Sequence, residues 1–163
     1  MTTIAVTGHM DLTEASVPFV RQALDGVLKG YAESGGLVGV SCIAKGADSL
    51  FAEAVLALGG RLIVVVPSRD YRATKVKPDH AALFDRLLEA ADEVLVLPYE
   101  TADRHAYEAA NTVLIQRADR IVAVWDGAPP SGKGGGTADT VLEAREAGVP
   151  VDVVWPEGAR RQG

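Results

Sequence analysis

Two carboxylates, Asp126 and Asp139, flank a loop that contains Gly132, Lys133, Gly134, Gly135, Gly136 and Thr137. The loop follows an apolar, strand-like run at 120–124 and precedes a helical pattern at 138–147. Thr137 reads as the N-cap, Gly148 suits the position just past the helix, and Pro150 forbids continuation. A helix start leaves backbone N–H groups unpaired and carries about half a positive charge. Glycines let the backbone approach a bound group closely. Together these features make an anion site, most often for phosphate. Lys133 adds a mobile positive charge. Asp139 either stabilises the helix dipole, by about 0.3–1 kcal/mol, or hydrogen-bonds ribose hydroxyls or acts as an acid/base. Asp126 is either a turn residue before Gly127 or an acceptor for a ligand hydroxyl or amine. The whole loop also has a plain reading as a surface connection.

A second set of polar residues recurs at other strand ends. His9 follows Gly8 just past the first strand, where it either binds a ligand or caps the next element. Lys45, Gly46 and Asp48 follow the second strand, and Asp48 is a helix cap or a ligand contact. Asn111 lies on the fourth helix, its amide able to hold a base or ribose. Arg69, Arg72, Lys75 and Lys77 crowd the loop at 68–78, either a solvated face or a lid over a bound phosphate. Cys42, the single cysteine, sits in an apolar run and reads as a small buried hydrophobe.

These groups are positioned by a regular alternation. Strands are expected at 4–6, 37–44, 62–66, 93–97, 120–124 and 151–155. Helices are expected at 14–33, 46–58, 79–91, 105–117 and 138–147, the first from Val17, Val20, Leu24, Val27, Leu28 and Tyr31 at helical spacing. Continuous apolar, β-branched strands suit a parallel sheet covered on both faces. The expected fold is a single-domain, doubly wound α/β sheet of about six strands over 1–156. Residues 157–163 read as a frayed basic tail. In such sheets ligands bind beyond the C-terminal strand ends, near the switch in strand order. That rule gathers Gly8, His9, Lys45, Gly46, the stretches from Pro67 and from Tyr99 onward, and 126–137 on one rim.

Composition sets outer bounds. The 163 residues are 48% hydrophobic and 23% charged, with net charge −6, which gives no basic footprint and argues against a nucleic-acid partner. No metal-type Cys/His cluster is present, and no metal or cofactor is expected. No apolar run reaches the ~20 residues that span a membrane, so the chain reads as cytoplasmic.

Four stretches resemble the SMF/DprA–LOG (SLOG) superfamily. Thr7-Gly8-His9-Met10-Asp11-Leu12 resembles a first-strand GHRDL motif. Ser41-Cys42-Ile43-Ala44-Lys45-Gly46-Ala47-Asp48 resembles the SGLARGAD stretch of DprA-like members. Asn111 with Ala118-Asp119 resembles the RN…SD stretch of YpsA-like members. Gly134-Gly135-Gly136-Thr137 resembles the GGxGT phosphate loop of LOG enzymes. The resemblance implies a Rossmann-like fold, a nucleotide-type ligand and a homodimer. It adds Ser41 and Thr140 to the ligand-binding candidates. LOG enzymes are phosphoribohydrolases whose loop reads GGxGTxxE, with a catalytic glutamate. That position here is Thr140, and the family's catalytic arginine falls on Ala110 or Asn111.

Two functions follow as expectations. The first is a sensor or binding module for a nucleotide or nucleoside monophosphate, with little or no turnover. The alternative is a LOG-like phosphoribohydrolase, an N-glycosidase acting on a nucleoside 5′-monophosphate, with Asp139 or Asp126 supporting an oxocarbenium-like transition state.

Overall fold

The computed structural model describes residues 1–132 and 136–163. Six parallel strands form one sheet in the order β4-β3-β2-β1-β5-β6. They are β1 (Thr2–Gly8), β2 (Leu37–Ser41), β3 (Arg61–Val66), β4 (Glu93–Val96), β5 (Arg120–Val124) and β6 (Val151–Val154). The helices are α1 (Val17–Glu33), α2 (Ala47–Ala57), α3 (Tyr71–Lys75), α4 (Pro78–Ala90), α5 (Arg104–Arg117) and α6 (Thr137–Glu146). The doubly wound α/β reading of the sequence is thus the observed architecture.

Alternation along the strands decides which helix goes where. Ile4 and Val6 of β1 face α1 and α2, meeting Val20, Leu24, Leu28, Phe51 and Val55. Ala5 between them points the other way, with Val40, Val65 and Ile121 towards Ala110, Leu114 and Ala144 of α5 and α6. On the first face, Leu62, Val64 and Val66 of β3 meet Phe84 and Leu87 of α4. The central strands are therefore apolar on both sides, as a covered parallel sheet requires, whereas the edge strands leave Val94, Val96 and Val153 exposed. Phe51 is fully buried, and truncating such a side chain costs about 3–5 kcal/mol. The winding reverses between β1 and β5. That reversal splays the connections and opens a crevice above the strand ends.

Three local expectations change. The expected first helix begins as a 3-10 turn at Glu14–Ser16 before α1, and Pro18 lies in the first turn of α1. The loop at 68–78 contains α3, anchored by Tyr71, which is 5% exposed and packs on Phe84. Residues 157–163 are not frayed. Ala159 is buried in the α1 core, and the Arg160 N–H donates to Ser16 Oγ at 2.7 Å. Arg161 forms an isolated antiparallel bridge with Leu12 and donates to Asp11. The segment lacks a hydrophobic period, so its order comes from specific partners far away in sequence. Among the described residues, no helix is long and apolar enough to cross a membrane, and no group of three or more His, Cys, Asp or Glu side chains could hold a metal ion.

Candidate functional site

A cleft of about 550 Å³ lies over the C-terminal ends of β1, β2, β3 and β5. Its size is that of small-molecule sites. The β1 end supplies the floor through Thr7, Gly8 and His9, α5 supplies Tyr107, Ala110, Asn111 and Leu114, and α6 begins on its rim with Gly136, Thr137, Ala138 and Asp139. Gly8 has a packing reason: a Cβ there would stand 2.4 Å from Ala47 Cβ.

His9 is 8% exposed and its ring meets Trp155 edge-on, with centroids 5.7 Å apart. Its Nε2 lies 3.1 Å from Asp126 Oδ1 and 3.2 Å from the Asp126 backbone N. Burial, together with the nearby Arg161 guanidinium, holds the imidazole below its ordinary pKa despite Asp126. Burial pushes the Asp126 carboxyl up, but the Ala128 N–H, His9 and Arg161 outweigh it and leave Asp126 below the ordinary value. Asp126 therefore stays ionised. It does not line the cleft; it braces His9 and Arg161 from behind. Direct catalysis by Asp126, expected from its place after β5, does not fit this position.

The other expected residues divide in the same way. Asp139 lines the cleft, and its Oδ2 accepts from the Gly136 N–H at 3.2 Å. Gly136, not Thr137, is the N-cap of α6, so Thr137 is the first helical residue and faces the cleft. Asp48 and Asn111 line the cleft. Ser41, Lys45, Gly46 and Thr140 do not. Ser41 is fully buried; its hydroxyl accepts from the Ile43 N–H and donates to the Asp48 carbonyl. Lys45 pairs with Asp79 outside. Gly46 abuts the His9 and Met10 backbone. Thr140 is buried and donates to the Gly136 carbonyl, inside the helix's own first turn. Lys133, Gly134 and Gly135 lie outside the described residues.

Cys42 was expected in the core, yet it lines the cleft beside Asp48. Burial and the Asp48 charge push its thiol far up, which keeps it from being a thiolate nucleophile. Burial likewise pushes Asp48 up to about 7, against the pull of the Ala44 N–H. Of the basic loop, only Lys75 reaches the cleft; Arg72 pairs with Asp85 and Arg69 with Glu100. Tyr71, Tyr107 and Arg161 were missed as site residues. Tyr71 falls in the stretch expected as a loop at 68–78, and Tyr107 on an apolar face of the helix expected at 105–117. Nothing local in 157–163 shows that Arg161 returns to the first strand.

No protein-family model matches the chain. No curated protein matches it either. In fold it is similar to the DNA processing protein A (DprA) of Streptococcus pneumoniae, with TM-score 0.69 and 22% identity over 96% of this chain and 51% of that one. DprA of Helicobacter pylori, described for its single-stranded DNA binding mode, gives TM-score 0.65 and 20% identity over 93% of this chain and 64% of that one. The molybdenum cofactor binding protein of the phototrophic bacterium Rippkaea orientalis gives TM-score 0.60 and 16% identity over 96% and 77%. At such identities the likeness shows the fold. The chain spans about half the length of the pneumococcal protein. A protein of similar fold is described for single-stranded DNA binding, so the expected exclusion of nucleic acid is not supported.

Proposed function

We propose, for a chain with the Rossmann-like fold of the SMF/DprA–LOG superfamily, that the cleft binds a nucleotide or nucleotide-derived phosphate ligand as a sensor or binding module with little or no turnover. The observation that carries this reading is the start of α6, which lines the cleft beside the β1–β5 reversal. The backbone N–H groups at a helix start and the helix dipole favour an anion. The remainder of a nucleotide then extends over Gly8 towards Tyr107 and Asn111.

Low turnover follows from the carboxylates. Asp126 is engaged behind the lining, and Asp139 is drawn to the Gly136 N–H. N-glycosidic cleavage needs a carboxylate directed at the sugar carbon. Isothermal titration with nucleoside mono-, di- and cyclic phosphates, followed by product analysis, tests the reading. Micromolar binding without base release is the expected result. Base release at an ordinary kcat of about 1–10³ s⁻¹ gives the phosphoribohydrolase alternative instead. A short single-stranded DNA belongs in the same panel, given the fold it shares with DprA; tighter binding of DNA than of any mononucleotide overturns the small-ligand reading. The homodimer implied by the family resemblance is part of this proposal and is read by sedimentation.

A further inference from the structure

We propose that the Asp48 end of the cleft is a nucleobase subsite, in which the Asp48 carboxyl pairs with a ring nitrogen and the adjacent amino group, the edge shared by adenine and cytosine. This rests on the nucleotide reading above and names the part of the ligand opposite its phosphate. The cleft runs from β3 across β2 and β1 to β5. Three inter-strand spacings make about 14 Å, room for a nucleotide with its phosphate at α6.

The far end has the surfaces a base needs. Tyr71, which interacts with Asp48, and Tyr107 and Pro67 among the cleft residues supply aromatic and apolar walls. The two tyrosine rings meet at 77° with centroids 6.4 Å apart. Asp48 is the carboxyl among them. The titratable groups that interact with it electrostatically are Cys42, just past β2, and Tyr71 of α3, which in turn meets Tyr107 of α5. It has no ion pair among the described residues, since Lys45 turns away to Asp79. A carboxyl so placed, with only the Ala44 N–H to favour its charge, keeps a proton near neutrality, in line with its rise to about 7. A neutral carboxyl offers one donor beside one acceptor, which matches an amino group beside a ring nitrogen. An ionised one can only accept and loses half the pairing.

The support for Asp48 is rigid and strained. Ile43 adopts φ +47°, a left-handed conformation rare for a β-branched residue. Such strain persists where the surroundings over-determine it. Here Ser41 Oγ accepts from the Ile43 N–H at 3.0 Å and His80 Nε2 reaches the Ile43 carbonyl at 2.9 Å. Ser49 donates to the Ala44 carbonyl at 2.7 Å, and Ser41 holds the Asp48 carbonyl at 3.0 Å. These bonds fix the backbone on both sides of the turn that presents Ala44 and Asp48.

Titration calorimetry of the full chain with adenosine 5′-monophosphate, cytidine 5′-monophosphate and ribose 5-phosphate is the test. Both nucleotides are expected to bind at least tenfold more tightly than the sugar phosphate at pH 6, and to lose about tenfold in affinity by pH 8.5 as Asp48 ionises. Asp48→Asn, whose amide keeps the donor–acceptor pair, retains the pH 6 affinity and flattens the pH profile. Asp48→Ala loses about tenfold for the nucleotides and nothing for ribose 5-phosphate. Equal affinities for nucleotide and sugar phosphate, or an Asp48→Ala variant with unchanged affinity, overturn the base subsite and leave the phosphate reading standing. Failure of all three ligands to bind overturns both.

Discussion

Two helices in this molecule begin at a glycine on the same rim, and they end up with opposite fates. At α2, Gly46 has φ +87°, and a Cβ there would lie 2.7 Å from the His9 carbonyl oxygen and 2.9 Å from Met10 Cα. The Ala47 N–H donates to that same His9 carbonyl at 3.2 Å. The first N–H of α2 is thus satisfied by the chain itself. At α6, Gly136 has φ −83° and ψ 179°, extended backbone open to any residue. Among the described residues, a Cβ there would meet only Asp139 Oδ2, at 3.6 Å. Glycine is required at α2 for packing, whereas at α6 it leaves room beside the cleft. A glycine before a helix is therefore not in itself a phosphate site; what occupies the space in front of it decides.

The largest expected effect separates the two starts. Gly46→Val forces a branched side chain into a left-handed conformation and against backbone atoms. Strain and overpacking together cost on the order of 3–5 kcal/mol, read as a lowered midpoint in urea unfolding. Gly136→Val changes stability by about 1 kcal/mol or less yet weakens nucleotide binding at least tenfold, since its side chain enters the space over the start of α6. If both variants unfold alike, or if Gly136→Val binds normally, the contrast between the helices is lost.

Asp48, two residues past Gly46, gives the next effect. Its folded pKa of about 7 lies above its ordinary value of 3.8. Between those values the folded chain holds more protons than the unfolded one, so ionisation of Asp48 erodes stability as pH rises through that window. Asp48→Asn removes the erosion. It is expected to be more stable than the parent by about 1–3 kcal/mol at pH 8, with the difference vanishing near pH 4. An equal difference at both pH values would show that packing, not charge, is responsible.

Asp139→Ala sharpens the comparison from the α6 side. Loss of the Gly136 N–H contact and of a negative charge in the first turn costs about 0.5–1 kcal/mol, measured by thermal unfolding, with affinity for nucleotide changed only slightly. The smallest effect belongs to Lys45→Ala. Its ion pair with Asp79 is exposed and outside the cleft, so neither the unfolding midpoint nor the calorimetric affinity should move. A clear loss of affinity would bring Lys45 back among the ligand contacts.

Sequence pattern alone determined the layers of this protein. Five parallel crossovers follow from apolar strand runs alternating with helical periods, because burial on two faces and burial on one stripe leave different spacings. The rim was legible for the same reason: Gly8, His9, Asp48, Asn111, Thr137 and Asp139 all follow from strand ends, helix starts or the motif resemblance, and all line the cleft. Tertiary structure alone decided which polar groups face the ligand space. Ser41 and Thr140 share motifs with true cleft residues, yet their hydroxyls bond to nearby backbone and never reach it. Asp126 is turned behind the lining by His9 and by Arg161, which lies 35 positions further along and returns on a segment without any apolar period. Local propensity fixes where a side chain leaves the backbone within an element. Its partners across the fold fix whether it meets solvent, a neighbour or a ligand, and those partners are set by contacts that no short window of sequence contains.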